Sequence, residues 1–165
     1  MTVAPTTTDG NRIDTTFDGL PLSVGGDLGP TEWEEMTQER VNAFAGIIND
    51  HHFMHVDPER AKETLFGGTI AHGFLALSVL APLLQRLRVA DASTSMHYGL
   101  NRVRFPAPLP VGARFRTSAQ VTEVTEIRGG AQAILDARVE VEGSERPAVV
   151  AEAVVRFYSG SPAGA

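Results

Sequence analysis

Four of the five histidines fall in two short stretches, Asn49-Asp50-His51-His52-Phe53-Met54-His55-Val56-Asp57-Pro58 and Ala71-His72-Gly73. Asp50 and His55 stand five positions apart on what reads as one irregular loop. A carboxylate and an imidazole so spaced can converge on one water molecule, and each can carry a proton near neutral pH. That is equipment for acid/base chemistry on an acyl group. Gly73 supplies the complementary part: at the start of an apolar helix its N–H lacks an intrahelical acceptor and the helix dipole favours negative charge there. With no side chain in the way, a carbonyl oxygen can come close. Such a donor stabilises an enolate-like oxygen, and losing a comparable oxyanion contact costs about 3–4 kcal/mol.

Plainer readings compete with this one. Asp50 can be a turn residue at a helix end, the histidines loop surface, and Asp57 a helix cap in front of Pro58. A metal site is the other alternative, because His55-x-Asp57 with a distal His72 or His97 mimics a two-His, one-carboxylate triad. Context argues against it: a capping Asp57 aims its oxygens at backbone donors. The expectation is therefore no metal ligands and no redox cofactor.

The elements that must position these groups follow from periodicity. Thr37 reads as an N-cap, with Glu39 in the first turn and apolar residues at Val41, Phe44, Ala45 and Ile48, so a helix runs to about Asn49. Asp57-Pro58 opens a short second helix through Ala61 and Leu65, closed by Gly67-Gly68, which leaves residues 49–57 as a loop. The stretch Gly73 to Arg88 has almost no polar face, so it predicts a long helix that has to be enclosed, kinked or broken at Pro82. Earlier, Thr31, Trp33 and Glu35 suggest a short strand among breakers.

After residue 90 the period changes to two. Met96-Tyr98-Leu100 shifting to Val103-Phe105, then Phe115 to Val121, Leu135 to Val141 and Val149 to Phe157 predict four long strands, with a bulge at Asn101-Arg102. Arg128-Gly129-Gly130 and Glu142-Gly143-Ser144 read as hairpin turns, so the strands are expected to be antiparallel neighbours. The fold class is α+β: one domain over residues 20–160, its curved antiparallel sheet wrapped around the long apolar helix. Residues 1–19 read as an N-terminal arm and 161–165 as a C-terminal tail. The sheet's open edge invites a second copy, so a homodimer is expected.

Composition fits a single compact domain. The chain has 165 residues and no cysteine, which excludes thiolate nucleophiles and Cys-ligated metal. Its net charge of −6 argues against nucleic acid or an anionic membrane as partner. The longest apolar run, Ile70 to Leu84, is too short and too interrupted to cross a bilayer, and the N-terminus has no secretory-signal pattern. A cytoplasmic location is the expectation.

The run Phe44-Ala45 … Asn49-Asp50-His51-His52-Phe53-Met54-His55-Val56-Asp57-Pro58, then Phe66-Gly67 … Ile70-Ala71-His72-Gly73-Phe74, resembles the motif of MaoC-like (R)-specific enoyl-CoA hydratases. Tyr98-Gly99-Leu100-Asn101-Arg102-Val103-Arg104-Phe105-Pro106-Ala107-Pro108 is similar to the actinobacterial and nodulation-protein-N-like branch of that family. The resemblance covers about residues 31 to 158. It implies a hot-dog fold, with the apolar helix at its centre, and a homodimer with a site near the subunit interface. It also implies that Asp50 and His55 are the catalytic pair that adds water at C3 of a trans-2-enoyl thioester and returns a proton at C2, and that the Gly73 N–H holds the thioester oxygen. His72 would then support packing or the loop. One departure is Asn49, where the family usually has Gly; Asn visits the left-handed backbone region more readily than most residues. His51 and His52 stand where the family varies and are assigned no role.

On this reading the partner is an acyl-CoA or acyl-carrier-protein thioester, with coenzyme A or phosphopantetheine entering only as part of the substrate. Arg102 and Arg104 could meet its phosphates, or simply decorate a surface strand. The expected activity is reversible hydration to (R)-3-hydroxyacyl thioesters. Alternatives are dehydration or tailoring of a carrier-bound intermediate of polyketide or specialised-metabolite synthesis, and a non-catalytic acyl-binding hot-dog subunit. Thioesterase activity suits the Asp and His pattern less well.

Overall fold

The computed structural model describes residues 6–8 and 12–160. The expected 161–165 tail and most of residues 1–11 lie outside the described residues. Among the described residues, nine strands and five α-helices follow in the order β1 (Thr6–Thr8), β2 (Arg12–Thr15), β3 (Asp27–Leu28), β4 (Glu34–Glu35), α1 (Gln38–Ile48), α2 (Phe53–Val56), α3 (Pro58–Ala61), α4 (Gly73–Ser78), α5 (Ala81–Leu84), β5 (Leu87–Val89), β6 (Thr94–Arg104), β7 (Arg114–Ile127), β8 (Gly130–Val141) and β9 (Val149–Tyr158).

The long strands form one antiparallel sheet in the order β3-β7-β8-β9-β6, with β4 added on β7. Alternation along β8 is nearly complete: Ala131, Ala133, Leu135, Ala137, Val139 and Val141 are buried while the residues between them face outward. The turn into β8 is made by Gly129 at φ 80°. A Cβ on the next residue, Gly130, would overlap the carbonyl of Phe157 on β9, so only glycine fits. Register shifts in the β6–β9 pairing fall at Leu100/Arg102, as the parity change predicts, and also at His97/Gly99. The sheet packs Leu135, Val139, Val149 and Phe157 against Leu75, Ala76, Leu80, Leu83 and Leu84 of the apolar helices.

Several expectations are corrected. The stretch from Gly73 to Arg88 is not one long helix: α4 ends at Ser78, α5 begins at Ala81 with Pro82 in its first turn, and Leu87–Val89 is strand β5. Pro82 cannot donate a backbone hydrogen bond to the preceding turn, which separates the two helices. Nor are they fully enclosed, since Phe74 is 71% exposed and Leu77 and Val79 are half-buried. Residues 12–19 are not a loose arm: β2 pairs in parallel with β5, Ile13 against Leu87, and Ile13 is buried. The strand expected over Thr31–Glu35 is reduced to Glu34–Glu35, while Thr31 instead donates its N–H to the carbonyl of Thr117 (2.9 Å). Among the described residues, no helix is long and apolar enough to cross a membrane.

Candidate active site

Helix α1 delivers the first site residue. Thr37 caps it, its hydroxyl accepting from the Arg40 N–H (3.3 Å), and Asn49 ends it in the left-handed conformation at φ 55°, ψ 39°. That reversal sends the chain out of the helix at Asp50, whose N–H still reaches the carbonyl of Ala45 (3.1 Å). The Asp50 carboxylate is exposed and accepts from the His52 N–H (3.2 Å).

The expected loop over 49–57 contains a helical turn, α2, which carries His55. His52 opens it as N-cap, a role that its sequence position alone did not suggest. Asp57 caps α3, its carboxylate accepting from the Arg60 N–H (3.1 Å), which removes it from any metal set with His55. His97 lies on β6 beside a different depression and does not reach the site.

His55 is 9% exposed. Its Nδ1 lies 2.8 Å from the carbonyl of Ile70. A carbonyl can only accept, so Nδ1 carries the proton and Nε2 of the neutral ring keeps its lone pair. Burial lowers the pKa of His55 below its ordinary value, partly offset by the Ile70 hydrogen bond and the nearby Asp50 charge, while His72 and His52 push it further down. The ring is therefore held as a neutral base.

His72, the N-cap of α4, is 3% exposed. Its Nε2 donates to the backbone carbonyl of Asp50 (3.0 Å), and its ring stacks on His55 with centroids 3.8 Å apart. Phe44 of α1 packs on the His72 ring as well, tilted, centroid to centroid 5.4 Å. His72 thus ties the Asp50 turn to the start of α4.

Among the described residues, Asp50, His55 and His72 offer potential ligand atoms that all lie within 4.8 Å of one another. The Asp50 carboxylate and the His55 ring are thus close in space. The set does not suit an ion. The two rings are stacked with only 27° between their planes, so their in-plane lone pairs run in nearly parallel layers. They cannot meet at one point about 2 Å from both nitrogens, as ligation requires.

His55 and Gly73 line one cleft of about 340 Å³, walled by Phe66, Ile70, Ala76, Phe105 and Leu109. Asp50 is not part of its wall and approaches His55 from the exposed side. Gly73 opens α4, where no intrahelical acceptor faces its N–H. A Cβ there would lie 3.3 Å from the Phe105 ring, so glycine keeps that approach open. An apolar cleft with a neutral base and a free amide at one end can hold an acyl chain and polarise its carbonyl.

Arg102 and Arg104 do not join the site within one chain. Arg102 lines a separate depression with Asp136, Arg138 and Glu152, and Arg104 donates to the carbonyl of its own neighbour Val103 (2.7 Å). Another depression, about 760 Å³, lies between β5 and the start of β6 and includes Asp14 and His97, but not Asp50, His55, His72 or Gly73. Sequence reasoning missed Gln38 and Thr69, which stand behind His55. Gln38 could have been noticed only as a polar residue in the first turn of α1, and Thr69 carries no signal at all.

A family model described as the MaoC like domain matches residues 21–144. The 3-hydroxyacyl-thioester dehydratase Z of Mycobacterium tuberculosis is 46% identical over 142 residues, covering 85% of this chain and 94% of that protein. Nodulation protein N of Rhizobium leguminosarum is 39% identical over 137 residues, covering 80% and 84%. The solved structure of the (R)-hydratase from Aeromonas caviae superposes with a TM-score of 0.67 at 30% identity, covering 80% of this chain and 94% of that one.

Proposed function

The chain belongs to the MaoC-like domain family, and from that premise we propose that it is a hydro-lyase that adds water reversibly to trans-2-enoyl thioesters, giving (R)-3-hydroxyacyl thioesters. The observation that carries this reading is the free Nε2 of a neutral, buried His55 beside the Asp50 carboxylate, at the mouth of the apolar cleft that Gly73 also lines. Asp50 and His55 hold the water. His55 takes one of its protons as the oxygen bonds to C3, and charge moves to the thioester oxygen, where the Gly73 N–H receives it. The proton is then delivered to C2. Every atom of the water ends in the product and no net oxidation occurs, so the reaction calls for no redox cofactor; dehydration is the same path reversed.

The active unit on this reading is a homodimer. β6 is an 11-residue edge strand paired only to β9 among the described residues. Met96, Tyr98 and Leu100 on it are exposed, as is Phe74 beside Gly73. Such an edge is a template for a second copy. A single sedimenting species of monomer mass at assay concentration overturns the dimer. Arg102 and Arg104 would meet substrate phosphates only across that boundary.

The test follows loss of the enoyl-thioester absorbance with a short and a long trans-2-enoyl-CoA, and with the same acyl groups on a carrier protein, together with the chirality of the product. Wild type consumes substrate and forms the (R) alcohol, while Asp50→Asn and His55→Ala lose about 10²–10⁴-fold in rate. Two variants as active as wild type overturn the assignment. Tight thioester binding without turnover favours the non-catalytic alternative.

A further inference from the structure

The helix that carries His55 is a single turn of four residues, far below the length at which a helix holds itself together in water. Its position must come from outside. Two ties supply it. The Ile70 N–H donates to the carbonyl of Met54 (3.0 Å), and the backbone carbonyl of His55, left without an intrahelical partner at the end of the turn, accepts from Gln38 Nε2 (2.8 Å).

Gln38 is itself held in one orientation. Its Nε2 also donates to Asn42 Oδ1 (2.9 Å), and its Oε1 accepts from the Thr69 hydroxyl (2.6 Å). Because the His55 carbonyl can only accept, the amide cannot be turned over without losing that tie. Thr69 is 7% exposed and immediately precedes Ile70, whose carbonyl fixes the protonated nitrogen of the His55 ring. The Gln38 amide therefore joins the backbone of His55 on one side to the strand-like segment that orients its ring on the other.

Building on the water chemistry proposed above, we infer that Gln38, acting through Thr69, is the positioning residue that sets the His55 ring at the cleft. It touches no reacting atom. Its loss leaves the residues of the site present but lets the one-turn helix and the Ile70 carbonyl drift apart, and a displacement of about 1 Å costs up to about a hundredfold in rate. The effect falls on kcat, since most of the wall that binds the acyl chain, Phe66, Ala76, Phe105 and Leu109, makes no hydrogen bond to Gln38. It also has a signature in pH: a ring released toward water regains its ordinary affinity for a proton, so the acid limb of kcat/KM moves upward.

The experiment compares Gln38→Met, which keeps length without polar atoms, with Thr69→Val, which removes only the hydroxyl, and Thr69→Ser, which restores it. Steady-state hydration of an enoyl-CoA is measured across pH for each full-length protein. Gln38→Met and Thr69→Val are expected to lose about ten- to a hundredfold in kcat with KM within about twofold and the acid limb raised, while Thr69→Ser matches wild type. If Gln38→Met does not fold, the Thr69 pair reads the same contact from its other end. Unchanged kcat and acid limb in Thr69→Val overturn the inference, and so does a rise in KM alone. His55→Ala run in parallel separates the two levels: an active His55→Ala defeats the mechanism itself, whereas an inactive one beside an unaffected Thr69→Val defeats only the positioning role.

Discussion

The β7–β8–β9 meander and the site segments 49–57 and 69–73 are held by different kinds of bond. In the meander, backbone pairs with backbone through a long register, Phe115 against Val141 to Ile127 against Gly130, and the side chains contribute buried apolar surface. In the site segments, the ties run from single side chains to single carbonyls: His55 to Ile70, His72 to Asp50, Gln38 to His55. The first arrangement spreads stability over many equivalent contacts. The second concentrates geometry in a few polar side chains, so side-chain changes in the two regions should be felt in different observables.

The largest effect that can break this contrast is on activity. Asp50→Asn is expected to lose about 10²–10⁴-fold in hydration rate while its urea-unfolding free energy stays within about 0.5 kcal/mol, because the carboxylate is exposed. A loss of stability as large as the loss of rate would erase the distinction. Leu135→Ala in β8 is the converse. Its side chain is fully buried, and truncation should cost about 2–5 kcal/mol in unfolding free energy with kcat of the folded fraction unchanged.

A smaller effect sharpens the role of the Gly73 amide. Gly73→Ala places a methyl group 3.3 Å from the ring of Phe105, a cleft wall, which must then give by a few tenths of an ångström. About 1–3 kcal/mol of overpacking is expected, read as a rise in KM for long acyl chains before short ones.

Titration supplies another test of the site. His55 in the folded protein resists protonation below its ordinary value of 6.5, whereas the unfolded chain takes up the proton there. The unfolded state thus binds more protons between the folded and unfolded values. Stability from this group is fully present above 6.5 and is lost as pH falls through that window. Urea unfolding of wild type, referenced to His55→Asn, should show this decline, and a difference rising toward acid contradicts the burial argument. The smallest effect is at Asn49. Asn49→Ala should cost about 1 kcal/mol, because φ is 55°, while Asn49→Gly changes unfolding free energy by only a few tenths of that.

Where regular spacing was the signal, the fold was legible. The alternation at Leu135-Ala137-Val139 gave β8, the shift at Asn101-Arg102 marked a bulge, and Thr37 with Val41 and Ala45 marked α1. Where a tertiary contact overrides spacing, it was not. Nothing local distinguishes Leu87-Arg88-Val89 from the end of a helix; pairing with Ile13 makes it a strand. The apolar alternation of Met96, Tyr98 and Leu100 resembles that of β8, yet these residues are exposed, as are the residues between them, on a strand that pairs only with β9 among the described residues. In the site, Asp50, His55 and Gly73 were readable as types at a spacing. The helical turn around His55, the cap at His52 and the brace from Gln38 and Thr69 were not.

By itself the sequence determined the chemical kinds available: a carboxylate and an imidazole within five residues, an unshielded amide at a helix start, apolar periods for one sheet and its helices, and no thiol. Only the tertiary structure decided how those groups are used. Which nitrogen of His55 holds the proton depends on a carbonyl 15 residues away, and its basicity depends on burial by segments that meet only when folded. Residue identity is local, but desolvation and hydrogen-bond direction are properties of neighbours in space.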